Sequence, residues 1–275
     1  MYVHPSTAVA HPPTRNHLLA ALPALEYQQL LPHLEPVELT VGCSIYEPGE
    51  RMGYVFFPTT GLVSLLYAME DDASAEIAIT GNEGMVGISM FMGGMFMGGD
   101  ITSSRVAVVS AGQAYRLRTR VLKREFERSG NLQQLLLRYT QALLRQMAQT
   151  AVCNRYHTVE QQVCRWLLLS LDRSSSNGFH MTRQLISNML GLRREGVSEA
   201  AGRLQRAGLI QTRRGSITVL DRPGLEQRVC ECYAVVKREA DRLLSWKPGA
   251  DSGQACKDVL MRCTASYPCP FGMRV

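Results

Sequence analysis

Between Met189 and Leu204 the chain reads MLGLRREGVSEAAGRL. Arg193, Arg194 and Glu195 follow directly on a glycine turn, ahead of an apolar set, Val197, Ala200, Ala201 and Leu204, at helical spacing. That spacing predicts a helix with one buried face. With the apolar set turned inward, Arg194, Glu195, Ser198, Glu199 and Gly202 share the outer face. The chemistry such a face offers is hydrogen bonding. An arginine fork donates two bonds to guanine, and a glutamate accepts from the cytosine amino group. A glutamate facing phosphates is a liability, so Glu195 and Glu199 read as base readers or as orienters of Arg194. The competing reading is an ordinary charged pair on a solvated face.

The elements that must position this tip are legible around it. Aligned on Gly191, the apolar residues Ile186, Leu190, Leu192, Val197 and Ala200 fall where two short helices share a small core. Small Ser187 sits where the helices come closest, and Thr182 is a natural N-cap for the first. This is a helix-turn-helix pattern, in which the second helix enters the major groove by its N-terminal turn. Downstream, AGLIQTRRGSITVLD predicts two short strands joined at Arg213-Arg214-Gly215-Ser216, a wing. Thr182, Arg183, Arg193, Arg203, Arg213 and Arg214 are candidate phosphate contacts, which position a domain without reading sequence. From Gly178 to Arg222 there are eight arginines and three acids. The charge lies where that motif needs it.

The remainder divides by rhythm. The chain has 275 residues, room for about two domains. With 45% hydrophobic and 20% charged residues it belongs with globular chains, not disordered ones. Residues 1–120 hold six basic and eleven acidic side chains, whereas the rest holds 24 and 13. Such asymmetry predicts one half that repels polyanions and one that attracts them. Residues 1–15 read as a flexible tail, and Asn16 to Leu34 as short helices broken by Pro23 and Pro32. From Pro36 to Arg118, β-rich runs (VELT, YVFFP, LVSLLYA, AEIAIT, RVAVVS, QAYRL) alternate with turns, which predicts a β-roll. Leu132, Leu136, Tyr139 and Leu143 then make a 4–3 apolar stripe on a long helix. We assign that stripe to a seam between two copies of the chain; the alternative is that it covers the roll. Leu225 to Leu244 predicts one amphipathic helix.

Several classes are excluded or weakly supported. The longest weakly polar run, Gly84 to Gly99, is shorter than the roughly 18 residues of a membrane span. No basic segment followed by an apolar core opens the chain, so a cytoplasmic protein is expected. No nucleophile–base pair, phosphate loop or H-E-x-x-H pattern is present, so no enzyme is expected. Of the eight cysteines, five (Cys230, Cys232, Cys256, Cys263, Cys269) fall in the last 46 residues. Their spacings do not match the usual C-x2-4-C pairs of zinc sites. Reduced thiols are therefore expected, with no metal ligand set and no cofactor; a metal or redox sensor built on these C-terminal cysteines is the alternative.

YEPGE with VFFPTTGLVSLL, GNEGMVGI, and MTRQLISNMLGLRREGVSEAAGRLQRAGLIQTRRGSITV together resemble the CRP/FNR family of transcription regulators. The resemblance covers most of residues 16–222. It implies an α+β chain: a β-roll sensor domain of the cyclic-nucleotide-binding type over 16–120, a dimerisation helix over 121–160, a winged helix-turn-helix over 161–224, and a C-terminal helix and tail over 225–275. It also implies a homodimer on double-stranded DNA, with RNA polymerase as a partner. A regulatory subunit whose basic domain contacts protein instead is a further alternative. The departures matter. Met85 stands where nucleotide-binding members carry a phosphate-site glutamate, and Thr102-Ser103 replace their arginine and its neighbour, so cyclic nucleotide is not expected. Gly84, Met85, Gly87, Thr102 and Ser103 are candidates for a different effector pocket, and Met90, Met92, Met95 and Met97 could extend it. Arg193 occupies the recognition-helix cap and Glu199 the place of a later arginine, which predicts a half-site unlike the family's usual one.

Overall fold

A computed structural model of the chain describes residues 11–68, 74–88, 101–128, 130–174, 178–180, 182–213 and 215–245. Short runs of Val, Leu, Phe and Tyr pair antiparallel into two sheets. Strands β1 (Glu35–Leu39), β7 (Gly112–Arg118) and β3 (Tyr54–Pro58) lie in the order β1-β7-β3. Strands β2 (Ser44–Tyr46), β6 (Arg105–Ser110), β4 (Leu62–Ala68) and β5 (Ser74–Thr80) lie in the order β2-β6-β4-β5. The inward positions Val37, Leu39, Val55, Phe57, Val63 and Leu117 are buried, as alternation along half-covered strands requires. This is the expected β-roll. Two short helices precede it, α1 (His17–Ala20) and α2 (Ala24–Leu30). Buried Asn16 caps α1 while its amide donates to Pro58 O at 2.9 Å and Gly84 O at 2.8 Å.

Two helices stand where one dimerisation helix was expected over 121–160, α3 (Thr119–Glu127) and α4 (Asn131–Tyr156), and a third, α5 (Val159–Asp172), follows. The break after α4 has a local cause. His157 is extended, and Thr158 and Gln161 form a capping box that starts α5. Glu26, from α2, closes the other end of α4 by accepting from Asn131 N at 3.1 Å and Leu132 N at 2.8 Å. A carboxylate there satisfies open amides and complements the helix dipole.

The seam assignment is overturned by the same helix. Leu132, Leu136, Tyr139 and Leu143 are buried within their own chain, 1–6% exposed. Tyr139 Oη donates to Met85 O at 3.1 Å and lies 3.1 Å from Thr80 Oγ1. The stripe covers the roll. Gln146 and Thr150 extend it as buried polar ties, Gln146 donating to Ile79 O at 3.2 Å. The exposed apolar side chains of α4 are instead Leu137, Leu144, Val152 and Tyr156.

Much of the remaining described chain shares a core with the roll. Leu62, Ile79 and Val109 cluster with Trp166, Leu167, Phe179, Ile186, Val197, Leu204 and Ile217. Strands β8 (Gly178–His180), β10 (Ser216–Val219) and β9 (Ile210–Arg213) make a third antiparallel sheet in the order β8-β10-β9. The expected final helix is two, α8 (Arg222–Arg228) and α9 (Glu231–Leu244), because Cys230 between them is extended. Met90, Met92, Met95, Met97, Arg214 and the segment 246–275 lie outside the described residues.

Candidate nucleic-acid interface

Helices α6 (Arg183–Leu190) and α7 (Arg194–Arg206) form the helix-turn-helix. Thr182 Oγ1 accepts from Leu185 N at 3.1 Å and starts α6. Gly191 ends it at φ +62°, a left-handed conformation that favours glycine. The turn is locked by Leu192 N donating to Ser187 O at 3.0 Å, and by Ser187 Oγ donating to Leu192 O. The wedge expected from spacing is in place: Ile186, Leu190, Val197, Ala200, Ala201 and Leu204 are buried. Alanines at 200 and 201 let α7 lie close to its neighbours.

The wedge drives the other face of α7 outward. Arg193, Arg194 and Glu195 are exposed and in no ion pair among the described residues. No side chain caps α7, so its first amides stay open to water or to an anion. Ser198 is half-buried. Glu199 and Arg203 do not stand free. Arg203 donates to Glu199 Oε1 at 2.6 Å and to Glu160 Oε2 at 2.6 Å, while Arg228 reaches Glu160 Oε1 at 3.2 Å. The two guanidiniums, Arg203 first, hold the Glu160 carboxyl below the usual carboxylate range despite its partial burial. Glu199 is thus in the charged-pair role that competed with base reading. This network crosses from α5 to α7 and α8, and no local spacing in the sequence announces it.

The wing is a hairpin closed by Gly215 at φ +81°. Arg213, exposed, ends its first strand. Gln205 Oε1 accepts from Thr212 N at 3.1 Å, which fixes the wing to α7. Thr182 is exposed beside it. The side chain of Arg183 lies outside the described residues, as does Arg214.

A second candidate site lies in the roll. A cavity of about 160 Å³ opens between β4, β5, β6 and α4. Its lining includes Val63, Leu65, Ile77, Leu143 and Met147, with Tyr67, Thr80, Ser103 and Ser104 as the polar groups. Of the five residues expected at a pocket, Met85, Gly87 and Ser103 line it. Gly84 does not; it supports the Tyr139 ring so closely that a Cβ there would lie 2.3 Å from Tyr139 Oη. Thr102 is turned away, donating to Ser104 O at 3.0 Å. No Lys or Arg occurs between Arg51 and Arg105. Arg105 points outward to Glu47 at 2.8 Å.

No curated protein sequence matches the chain. The family profile described as the Crp-like helix-turn-helix domain matches residues 161–228. Among solved structures, FixK2 from Bradyrhizobium japonicum is similar, with TM-score 0.59 and 19% identity over 72% of this chain and 98% of that one. The c-di-GMP-responsive global regulator CLP of Xanthomonas campestris follows, with TM-score 0.55 and 18% identity over 72% and 100%. A CRP-family transcriptional regulator from Thermus thermophilus has TM-score 0.54 and 17% identity over 69% and 94%. The likeness spans the β-roll, the long helix and the winged helix-turn-helix, in that order. Residues 161–228 match the Crp-like helix-turn-helix domain, and the fold is the one these solved regulators share. None of its described helices is long and apolar enough to cross a membrane.

Proposed function

We propose that the protein binds double-stranded DNA sequence-specifically as a homodimer and regulates transcription with RNA polymerase as its partner. The observation that carries this reading is the exposed, unpaired Arg193-Arg194-Glu195 tip held outward by a buried wedge. Arg194 and Glu195 read base edges, with Ser198 beside them. Arg193, Thr182, Arg183, Arg213 and Arg214 take phosphates, and Glu199 orients Arg203 toward the backbone. Two copies meet along Leu137, Leu144 and Val152, the apolar row of α4 that the roll leaves open. Two-fold symmetry then sets half-site centres about 34 Å apart.

The signal enters through the roll cavity. Its apolar lining and lack of a cation favour a small neutral ligand over a cyclic nucleotide, whose phosphate would have no counterion there. Selection of bound sequences from a random DNA pool tests the main reading. An enriched near-palindrome, confirmed by mobility shift against unrelated competitor, is the expected result. Binding with no enrichment, or none at all, would replace this reading with a regulatory subunit whose basic domain contacts protein.

A further inference from the structure

Four potential metal ligands converge at the junction of α4, α5 and α9. Cys153 and His157 are an i, i+4 pair at the end of α4; Cys230 and Cys232 flank the start of α9. Their donor atoms all lie within 4.8 Å of one another. Cys153 Sγ is 3.6 Å from Cys230 Sγ, and Cys232 Sγ is 3.4 Å from His157 Nδ1. Sulfurs held about 2.3 Å from one tetrahedral zinc lie about 3.8 Å apart. The cluster therefore needs only a small closure to enclose an ion. The three cysteines are buried and His157 is half-buried.

The surroundings match what an ion would need. Glu231 Oε2 lies 3.3 Å from His157 Nε2. It orients the ring so that Nδ1 faces the sulfurs, the carboxylate–histidine arrangement typical of metal sites. Gln149 Nε2 donates to Cys232 Sγ at 3.1 Å. Arg165, 3% exposed, bonds Thr150 Oγ1 at 3.1 Å, and its Nε has no hydrogen-bond partner among the described residues. Three thiolates around a divalent ion carry one net negative charge, which this guanidinium offsets.

We propose that Cys153, His157, Cys230 and Cys232 form a closed Cys3His site for zinc that ties the end of the long helix to the start of the C-terminal helix. Soft sulfur donors with one imidazole in tetrahedral reach select zinc over the hard cations. Four protein ligands leave no open position, so the site is structural, not hydrolytic. Binding releases the thiol protons to solvent. The broken helix at Cys230 gains a reason, because a continuous helix could not turn both residues of Cys-Glu-Cys toward Cys153.

The test uses the full chain purified without chelators. One zinc per chain is expected by elemental analysis. The metal-stripped protein should bind cobalt with intense tetrahedral d–d bands and thiolate charge transfer, and should melt about 5–10 °C below the zinc form. Cys153→Ser and Cys230→Ser should each weaken zinc by on the order of 100-fold or more. Replacing Cys256, Cys263 and Cys269 together by serine should change nothing. The cobalt titration requires no substitution, so a misfolded variant cannot hide the answer. Three results would overturn the proposal: no cobalt–thiolate signal, zinc that follows the tail cysteines, or an iron–sulfur chromophore in protein prepared without oxygen.

Discussion

Trp166 Nε1 donates to Glu76 Oε2 at 3.3 Å, from the first helix of the helix-turn-helix domain to a strand of the roll. Ser64 Oγ donates to the same carboxyl oxygen. Nearby, Arg173 joins Glu83 at 2.8 Å and Gln146 at 2.8 Å, binding α5, the roll and the long helix together. Roll and reader are thus joined through buried polar contacts as well as through a shared apolar core.

Burial pushes the Glu76 carboxyl up to about 7 from its ordinary 4.5, against the bonds from Ser64 and Trp166. The folded chain therefore holds this proton more tightly than the unfolded chain. Its contribution is complete below pH 4.5 and is lost as pH rises through 7, by about 3 kcal/mol at most. Denaturant unfolding between pH 5 and 8.5 should show that decline, and Glu76→Gln should flatten it. An unchanged slope in the variant would assign the decline to other groups.

Arg194→Ala should cost about 1–3 kcal/mol on the selected site and relax preference at one base position. Arg213→Ala should weaken operator and random DNA alike and reduce the salt slope by about one. Fluorescence anisotropy across a salt series separates the two. Equal losses on both DNAs for Arg194→Ala would remove it from the base readers.

The two faces of α4 should respond differently. Leu144→Arg, at an exposed position, should leave the fold intact and shift the protein to monomers in sedimentation. Leu143→Ala, one residue away and buried, should lower stability by about 2–5 kcal/mol whatever the oligomeric state. Monomers throughout, in the native chain as well, would refute the Leu137–Leu144–Val152 row as a seam.

Gly191→Ala should destabilise by about 1–2 kcal/mol, because φ there is +62°. Its Cβ would meet only the Ala75 methyl at 3.5 Å, an ordinary contact. The cost is therefore conformational and should appear as a lower melting temperature with DNA preference unchanged.

The helix-turn-helix was legible because each of its signals is local. Gly191, Thr182 and the Val197–Leu204 spacing each speak within a few residues, and the strands of the roll are bounded by their own turns. The helix breaks at His157 and Cys230 differ in how the sequence signals them. Thr158 with Gln161 is a capping box readable in the sequence, whereas nothing local in Val229-Cys230 stops a helix. Arg194, Glu195 and Glu199 are exposed on α7 as the spacing requires, yet no local pattern shows Arg203 held between Glu199 and Glu160, since Glu160 stands on another helix.

From its own residues the chain set the order of its elements, the wedge behind the recognition helix and the basic charge around it, because periodicity, caps and turns act over a few positions. Tertiary structure alone decided which side of the long helix meets the roll, since a 4–3 stripe suits a sheet as well as a second helix. It alone also brought Cys153 and His157 to Cys230 and Cys232. Residues more than seventy positions apart in sequence become neighbours only when α9 folds back along α4, and no spacing rule registers that return.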